Sequence, residues 1–534
     1  METSVRRMLP WLLLLIMVLK VHLPWVMDPY RIDGDARQHV FWTHKFTDPE
    51  LFPGDPLVEF ISSPRFDPLG YQALYYAGVQ VVDPLLLSKL LGAGLSLILG
   101  ALAFRVGRRT AGPLAGTLCL LAMAFLSFDD QRIALPRAFA FCILILAILA
   151  VIEHRPLLAG LSLVLSALFY PPAVLSVGVL FPLLLLREGG TLPIRVGRLL
   201  LPVGMPALVA LTVILLSTRF IDADLTGNLV TRAQSLEMPE FHEGGRNVFW
   251  REDPVAFYLG GGGYSRSACD LLASEIYVPL LVVLVLLVVL RRRFICPPVL
   301  LVMTVSSALL FVLAHAVLFT LYQPNRYTAF TWPTALGLLV GINLATVLSP
   351  WLRRFQAPLL RGAFPLAALL LLTIIASAVT RKSAAPEEAT LRLHAVVGEL
   401  PKDVLLAGHP RVLDDIPLRS LRSVLINREL SLAWYQGYYQ RIKPRIEANL
   451  ALLWGSDGDV ARAHVRTYGV THLIVRDGDV RESSDTLAAS VERPFDERVR
   501  ELRATGTPPW WAAESLPVLF EGGGLRLLDL RKLR

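Results

Sequence analysis

The stretch MLPWLLLLIMVLKVHLPWVM, residues 8–27, followed directly by DPYRIDGDARQHVFW, residues 28–42, decides the fold class. The first part is apolar and long enough to cross a bilayer as one helix, which takes about 20 residues. It ends in Trp25, Val26 and Met27 rather than in the small residues of a cleavage site, so it predicts an uncleaved membrane helix and not a signal peptide. Acids, arginines, a histidine and aromatic residues follow at once, a mixture that suits a polar site at the membrane surface.

The composition of the whole chain supports a membrane protein. Of its 534 residues, 54% are hydrophobic and only 18% are charged, whereas soluble chains usually carry about 25% charged residues. The net charge of +8 fits arginines at the cytoplasmic ends of membrane helices, and no basic stripe with interleaved aromatic residues predicts a nucleic-acid partner. The four cysteines form no CxxC pair, which disfavours a zinc or redox motif.

Eleven apolar runs predict about 11 transmembrane helices. Prolines and a charged Glu153-His154-Arg155 turn interrupt the stretch 138–186, which leaves two or three spans open there. The runs are 8–27, 83–104, 111–128, 138–152, 156–170, 171–186, 199–217, 272–290, 297–320, 328–349 and 363–380.

The arginines predict the orientation of these helices. With the N-terminus in the cytoplasm, every inner loop carries arginine, as the positive-inside rule requires. The outer loops are then about 28–82, 128–137, 218–271 and 321–327, and the tail from 381 is extracytoplasmic. We therefore expect a multi-pass protein of the cell inner (plasma) membrane, with a polytopic domain over 1–380 and a second domain over 381–534.

The tail has the pattern of a small α/β domain. Short β-type runs at Asp403–Ala407, Ser423–Ile426 and Thr471–Val475 alternate with helical stretches near 429–453 and 457–468. A closing hairpin is predicted over Val518–Leu530, around Glu521-Gly522-Gly523-Gly524.

Asp33 and Asp35 allow two interpretations that rest on their positions in the sequence alone. Either acid could cap a short interfacial helix beginning at Ala36. The Asp-Gly-Asp spacing is also that of a metal-binding DxD in nucleotide-sugar transferases, but here it falls on the outer side with no preceding βαβ unit.

The chain resembles GT-C-type polytopic membrane glycosyltransferases, and most of all poorly characterised bacterial members. Gly34–His39 resembles the acidic stretch after the first helix of lipid-phosphate-sugar-dependent glucosyltransferases. Phe128–Arg132 lies where oligosaccharyltransferase catalytic subunits carry a second acidic motif, and a helical core followed by an outer α/β tail is a common layout of the superfamily. No WWD-like motif follows Trp510, and Phe128 interrupts a Ser-Asp-Asp pattern, which argues against oligosaccharyltransferase proper.

The resemblance implies roles for the outer-loop residues. A first-loop aspartate, Asp35 with Asp33 assisting, would be the catalytic base, supported by Gln38 and His39. A divalent cation such as Mg²⁺ or Mn²⁺ is the one cofactor implied, at Asp129 and Asp130. Arginine binds phosphate oxygens and stays charged, so the outer-side arginines are the candidates for the sugar donor's phosphate: Arg132, Arg137 and Arg326.

We therefore expect a glycosyltransferase that moves a sugar from a polyprenyl-phosphate carrier in the bilayer to an extracytoplasmic glycan, lipid or protein. A lipid-linked glycan flippase and a non-catalytic envelope-assembly scaffold are the alternatives. The apolar runs are almost free of charge and the acids gather on one side, which favours surface chemistry over a transport path.

Overall fold

The computed structural model describes residues 2–186, 188–219, 223–253, 257, 282, 285, 289, 294–354 and 387–534. Five described helices are long and apolar enough to cross a membrane: Met8–Val26, Pro84–Ala111, Leu192–Ser217, Pro298–Ala316 and Pro324–Pro350. Four shorter apolar helices accompany them: Pro113–Ser127, Pro136–Ile152, Pro156–Phe169 and Ala173–Leu185. Together these coincide with nine of the eleven predicted segments, and the chain is a multi-pass membrane protein. The segments 272–290 and 363–380, with the domain boundary near 380, lie outside the described residues.

The stretch 138–186 contains three short apolar helices rather than one broken one. Pro156 and Pro182 stand at the first turn of their helices, where a missing N–H costs no hydrogen bond. Tyr170 leaves the helical conformation (φ −149°, ψ 78°) directly before Pro171, because a residue before proline avoids the α region. The prolines therefore separate helices here.

Small residues let the membrane helices approach closely. A Cβ added at Gly107 would lie 2.4 Å from the carbonyl oxygen of Ala115, and one at Gly341 would lie 2.6 Å from the amide nitrogen of Cys119. Such contacts replace the hydrophobic driving force that lipid does not supply. Gly92 does the same for the loop after the helix Pro113–Ser127, since its added Cβ would lie 2.2 Å from the carbonyl oxygen of Gln131.

Polar contacts sort the connecting loops into two sets. On one side, Arg105 and Arg109 both bind Glu153, at 2.5 and 2.7 Å, and Glu188 binds His154 at 3.0 Å. The loops predicted to be outer contact one another and the tail instead, as described below. This division into two sets matches the alternation that the apolar runs predict.

The tail carries a five-stranded sheet in the order β2-β1-β3-β5-β4. The strands are β1 (Leu405–Gly408), β2 (Ser423–Val424), β3 (His472–Arg476), β4 (Val518–Gly522) and β5 (Leu525–Asp529). The first three strands pair in parallel, and β5 pairs antiparallel with both β3 and β4. The predicted strands and the closing hairpin are thus present in the tail.

The helix predicted from residue 429 begins later, at Gln436. Side chains hold the preceding backbone in a loop: Asn427 Oδ1 accepts the Leu430 N–H at 3.2 Å, and Asn247 Oδ1 accepts the Ala433 N–H at 2.8 Å. The first bond is local and the second comes from a distant segment, and side-chain bonds to the backbone compete with helix formation. The loop 427–435 therefore stays available to contact other segments.

The hydrophobic core of the tail is continuous with that of the first loop. The ring of Phe60 in the first loop stacks on Tyr438 of the tail with centroids 3.8 Å apart and an interplanar angle of 15°. Val230 and Phe241 belong to the same buried cluster. The first loop, the segment 223–253 and the tail accordingly lie on one side of the membrane helices.

The membrane part contains further short helices and turns, and some of the long apolar segments consist of several consecutive elements. These elements, with their bounds, are Glu2–Val26, Ala36–His39, Phe41–Phe46, Pro56–Ile61, Leu69–Gly78, Asp129–Gln131, Pro136–Phe139, Ala140–Ile152, Ala173–Gly178, Pro182–Leu185, Leu192–Leu199, Leu200–Gly204, Met205–Arg219, Ala223–Thr226, Arg232–Glu237, Pro239–Phe241, Pro324–Tyr327 and Thr331–Arg354. Those of the tail are Glu388–Glu399, Pro410–Leu413, Ile416–Ser420, Gln436–Trp454, Gly458–Tyr468, Gly478–Arg481, Ser484–Ala488, Phe495–Arg503, Trp510–Ala512 and Arg531–Leu533.

Candidate functional site

The acidic turn of the first loop leads into the short helix Ala36–His39. Asp33 Oδ1 accepts the backbone N–H of Asp35 at 3.1 Å, which fixes the turn. Asp35 occupies the position before the helix, but its side chain makes no capping hydrogen bond. The capping interpretation therefore does not account for the Asp35 carboxylate.

Arg137 brings together the first loop and the loop that precedes the helix Ala140–Ile152. It lies in the turn Pro136–Phe139, at the start of the following apolar helix. Its Nη1 donates to Asp35 Oδ2, and its Nη2 donates to Asp33 Oδ2 at 3.4 Å. About a third or less of each of these three side chains is exposed. One guanidinium thus pairs with the carboxylates of both Asp33 and Asp35.

Positive charge from the neighbouring helical turn and from three other segments acts on Asp35. Burial opposes ionisation of this carboxyl, but the charges of Arg137, His39, Arg326 and Arg246 outweigh it and hold the pKa of Asp35 below its ordinary value. Asp35 is consequently a carboxylate at neutral pH, and Arg137 is its foremost counter-ion.

Arg326 stands in the turn Pro324–Tyr327, between two membrane helices. Its Nε donates to Gln323 Oε1 at 3.1 Å, and its charge is felt at both Asp35 and Arg137. Two arginines that the sequence singled out for phosphate therefore converge on the first-loop acids.

Arg132, the third such arginine, is engaged elsewhere. Its Nη2 lies 2.6 Å from Asp129 Oδ1, and its guanidinium stacks over the ring of Trp25 at 5.2 Å. Asp129 is more than half exposed. Asp130 instead lies within electrostatic range of Arg137, so of the two neighbouring acids Asp130 is nearer in its influence to the Asp33–Asp35 turn.

A buried carboxylate stands behind His39. Asp67 is fully buried and lies with Oδ1 2.5 Å from His39 Nδ1 and Oδ2 2.7 Å from Trp42 Nε1. Because a carboxylate accepts, we assign the imidazole proton to Nδ1. Burial raises the pKa of Asp67, against the opposing effect of His39 and Trp42. Asp67 could not be identified from the sequence, because no sequence pattern predicts a contact between two residues that are 28 positions apart, such as His39 and Asp67.

Gln38, predicted to support the acids, contacts the tail instead. Its Nε2 donates to the backbone oxygen of Glu429 at 3.0 Å and to Glu429 Oε2 at 3.2 Å. Arg246 binds the same carboxylate at 2.6 Å, and Arg37 binds Asp415 at 2.7 Å. The tail therefore holds the outer face of the helix that follows Asp35. Composition alone could not reveal these partners, which are far apart in the sequence.

The acids do not assemble into a metal site within the described residues. No group of three or more His, Cys, Asp or Glu is placed there to hold an ion. Arg137 compensates Asp33 and Asp35, and Arg132 compensates Asp129. Guanidinium groups thus pair with Asp33, Asp35 and Asp129.

Comparisons with known proteins place the fold. No protein-family model matches the sequence, and no curated protein matches it significantly. Solved structures do match: the Archaeoglobus fulgidus oligosaccharyltransferase in its apo form has a TM-score of 0.53 and 12% identity, over 93% of this chain and 72% of that one. ArnT from Cupriavidus metallidurans has a TM-score of 0.52 and 13% identity, over 99% and 98% of the two chains. The chain has the GT-C fold.

The two neighbouring tryptophans of the tail, Trp510 and Trp511, are not part of a WWD-like motif. Trp510 and Trp511 are buried, and their indole N–H groups donate to the carbonyls of Leu452 and Leu453, both at 2.8 Å. They brace the end of the helix Gln436–Trp454, far in sequence from the acidic turn. Their contacts explain both residues as structural.

Proposed function

We propose that this chain is a glycosyltransferase that moves a sugar from a polyprenyl-phosphate-linked donor to an acceptor hydroxyl on the extracytoplasmic side, with Asp35 as the base. The observation that carries the proposal is the pairing of Arg137 with Asp33 and Asp35 across two outer loops of a GT-C fold. It unites a proton acceptor and a phosphate-binding cation at the membrane surface.

Sugar transfer from a lipid phosphate needs both groups. A carboxylate takes the acceptor proton as the acceptor oxygen attacks the anomeric carbon. The bond between that carbon and the phosphate oxygen breaks, and positive charge stabilises the departing phosphate. Arg137 and Arg326 supply this charge, and Arg246 adds to the potential around Asp35.

The ion pair also suggests how the base is activated. While Arg137 binds Asp35, the carboxylate is a weak base because its charge is compensated. A phosphate entering the site competes for the guanidinium, whose fork fits phosphate oxygens. Loss of this counter-ion raises the basicity of Asp35 when the sugar donor is in place.

The solved neighbours support a lipid-linked sugar donor. AglB from Archaeoglobus fulgidus, with a TM-score of 0.51 and 12% identity, was solved with a dolichol-phosphate and an inhibitory peptide. For this chain we propose the bilayer, a polyprenyl-phosphate sugar and a glycan, lipid or protein acceptor as partners. The proposed orientation in the inner (plasma) membrane has the N-terminus in the cytoplasm and the tail, together with the acidic turn, outside.

The test is transfer of labelled sugar from a panel of polyprenyl-phosphate donors by membranes carrying the wild-type chain or Asp35→Asn. Asn keeps the shape of the side chain but takes no proton at neutral pH, so we expect a loss of about 10²–10⁴-fold in rate. Full transfer by the Asn variant would remove Asp35 from the mechanism. No transfer by the wild-type chain from any donor would favour the flippase or scaffold alternative.

A further inference from the structure

His39 lies on the same face of its helical turn as Asp35. The two residues are four positions apart, and the backbone N–H of His39 donates to the backbone carbonyl of Asp35 at 3.1 Å. Side chains four apart on a helix are neighbours. A histidine held by a buried carboxylate therefore stands beside the proposed base.

We propose that His39 is a proton relay for Asp35, with Asp67 as the positioning residue that sets its tautomer. The inference rests on the proposed function and deepens it, because it says where the acceptor's proton goes after Asp35 has taken it. The geometry that supports it is the position of His39 four residues after Asp35, together with the contacts of the His39 ring with Asp67 and of Asp67 with Trp42.

The relay needs a free nitrogen lone pair on His39. Nδ1 carries its proton towards Asp67, and a neutral imidazole then has Nε2 as an acceptor. No described residue makes a hydrogen bond to Nε2. The His39 side chain is 15% exposed, so this nitrogen lies at the edge of the polar site and not in a closed core.

The fixed position of the ring also favours the relay. Trp42 holds the second oxygen of Asp67, and the His39 ring stacks on Phe66 with centroids 5.1 Å apart. Tyr71 donates its hydroxyl to the His39 carbonyl at 3.1 Å. A ring used only for packing would not require a fully buried carboxylate on its nitrogen, because burying an acid carries a desolvation penalty.

Protons and electrons balance in this relay. The acceptor oxygen forms its bond to the anomeric carbon, and its proton passes to Asp35. The phosphate oxygen leaves with the bonding electron pair. Asp35 hands the proton to His39 Nε2, and Asp67 stabilises the resulting imidazolium. Arg137 then returns to the Asp35 carboxylate as the lipid phosphate departs, and the imidazolium releases its proton to water.

Asp67→Asn tests the relay through the tautomer. Asn keeps one oxygen for Trp42 but presents an NH₂ group to His39 Nδ1, so the ring proton moves to Nε2 and no lone pair remains there. In the serine-protease triad, the worked example of this effect, replacing the buried aspartate by asparagine lowers kcat by about 10⁴-fold. Here, since Asp35 remains, we expect a fall in kcat of about 10²-fold with the KM for the sugar donor little changed.

Two further variants complete the experiment. His39→Asn keeps a donor N–H towards Asp67 without a relay nitrogen, and we expect the same fall in kcat. Asp55→Asn is the matched control: Asp55 is also buried in the first loop, but it caps the helix Pro56–Ile61 through the Leu57 N–H at 2.9 Å. Asn caps about as well as Asp, so kcat should stay at the wild-type value.

The outcomes separate the relay from the proposed function. Wild-type kcat in His39→Asn and Asp67→Asn, together with loss of transfer in Asp35→Asn, would overturn the relay and leave the glycosyltransferase proposal standing. Absence of transfer by the wild-type chain would overturn both. If Asp67→Asn fails to fold, His39→Asn decides by the same criterion, because it leaves the Asp67–Trp42 bond intact.

Discussion

Replacing Arg137 by Gln would test the pairing on which the proposed site depends. Gln keeps much of the side-chain length but removes the charge and the fork that reaches Asp35 and Asp33 together. Both acids would then lack their foremost counter-ion, and the incoming phosphate would lose its most direct cation. Arg137→Lys is the informative companion, because it keeps the charge and removes only the two-armed geometry.

The magnitude follows from the kind of bond that is lost. A hydrogen bond to a charged group contributes about 1.5–3 kcal/mol, and a factor of ten corresponds to about 1.4 kcal/mol. We therefore expect kcat/KM for the sugar donor to fall by roughly 10- to 150-fold in Arg137→Gln. The kcat/KM of Arg137→Lys should lie between the values of Arg137→Gln and the wild type, because lysine keeps the charge without the two-armed geometry. Water screens part of that charge, since the side chains here are about a third exposed.

The matched control is Arg132→Gln, five residues away in the same loop. Arg132 stacks on Trp25 and binds Asp129, whose side chain is 56% exposed, and an ion pair with one partner largely in water contributes only about 0–1 kcal/mol. The assay is initial rates of labelled-sugar transfer at varied concentrations of the lipid-linked donor, with each variant's expression and thermal unfolding measured in detergent. Equal losses of kcat/KM in Arg132→Gln and Arg137→Gln would refute the assignment of Arg137 as the residue that binds the donor's phosphate beside the acidic turn.

Two further predictions concern stability, measured by thermal unfolding of the purified chain in detergent. Gly92→Ala should destabilise the chain by about 1–3 kcal/mol because its methyl group meets the Gln131 carbonyl, whereas Gly94→Ala on the same helix, with nothing within 4 Å, should not; equal midpoints would contradict this packing. Burial, and then the neighbouring Glu429, raises the pKa of Asp414 to about 7, so the stability that depends on its proton is lost as the pH rises from about 4 to 7. Asp414→Asn should flatten that dependence between about pH 4 and pH 7, and an unchanged slope would exclude Asp414 as its origin.

The secondary structure was largely predictable because it depends on local patterns. Apolar runs of sufficient length, with proline or aspartate at their starts, give helices such as Pro84–Ala111, which Asp83 caps through two backbone N–H groups. The hairpin of β4 and β5 follows from glycines at positive φ, Gly523 and Gly524. The predicted start of the helix Gln436–Trp454, residue 429, was wrong, and the helix begins at Gln436. The side chain of Asn247, in a distant segment, helps to hold the loop before it.

The candidate site was predictable only in part. Acids directly after a membrane helix and arginines against the positive-inside bias pointed to Asp35, Arg137 and Arg326, since both signals depend on position relative to the bilayer. The partners Asp67 and Glu429 were out of reach, because their roles come from tertiary contacts with His39 and Gln38. One sequence carries no periodicity that records such contacts.

The contact between Arg37 and Asp415 sets an order of events during synthesis. The two residues are 378 positions apart, and at about 5–20 residues per second a ribosome takes roughly 20–75 seconds to cover that distance. Throughout this interval the acidic turn has already been made while the tail that holds its outer face has not. The nascent chain therefore completes this surface only after Asp415 has been made, which comes later than every candidate membrane helix that the structure describes.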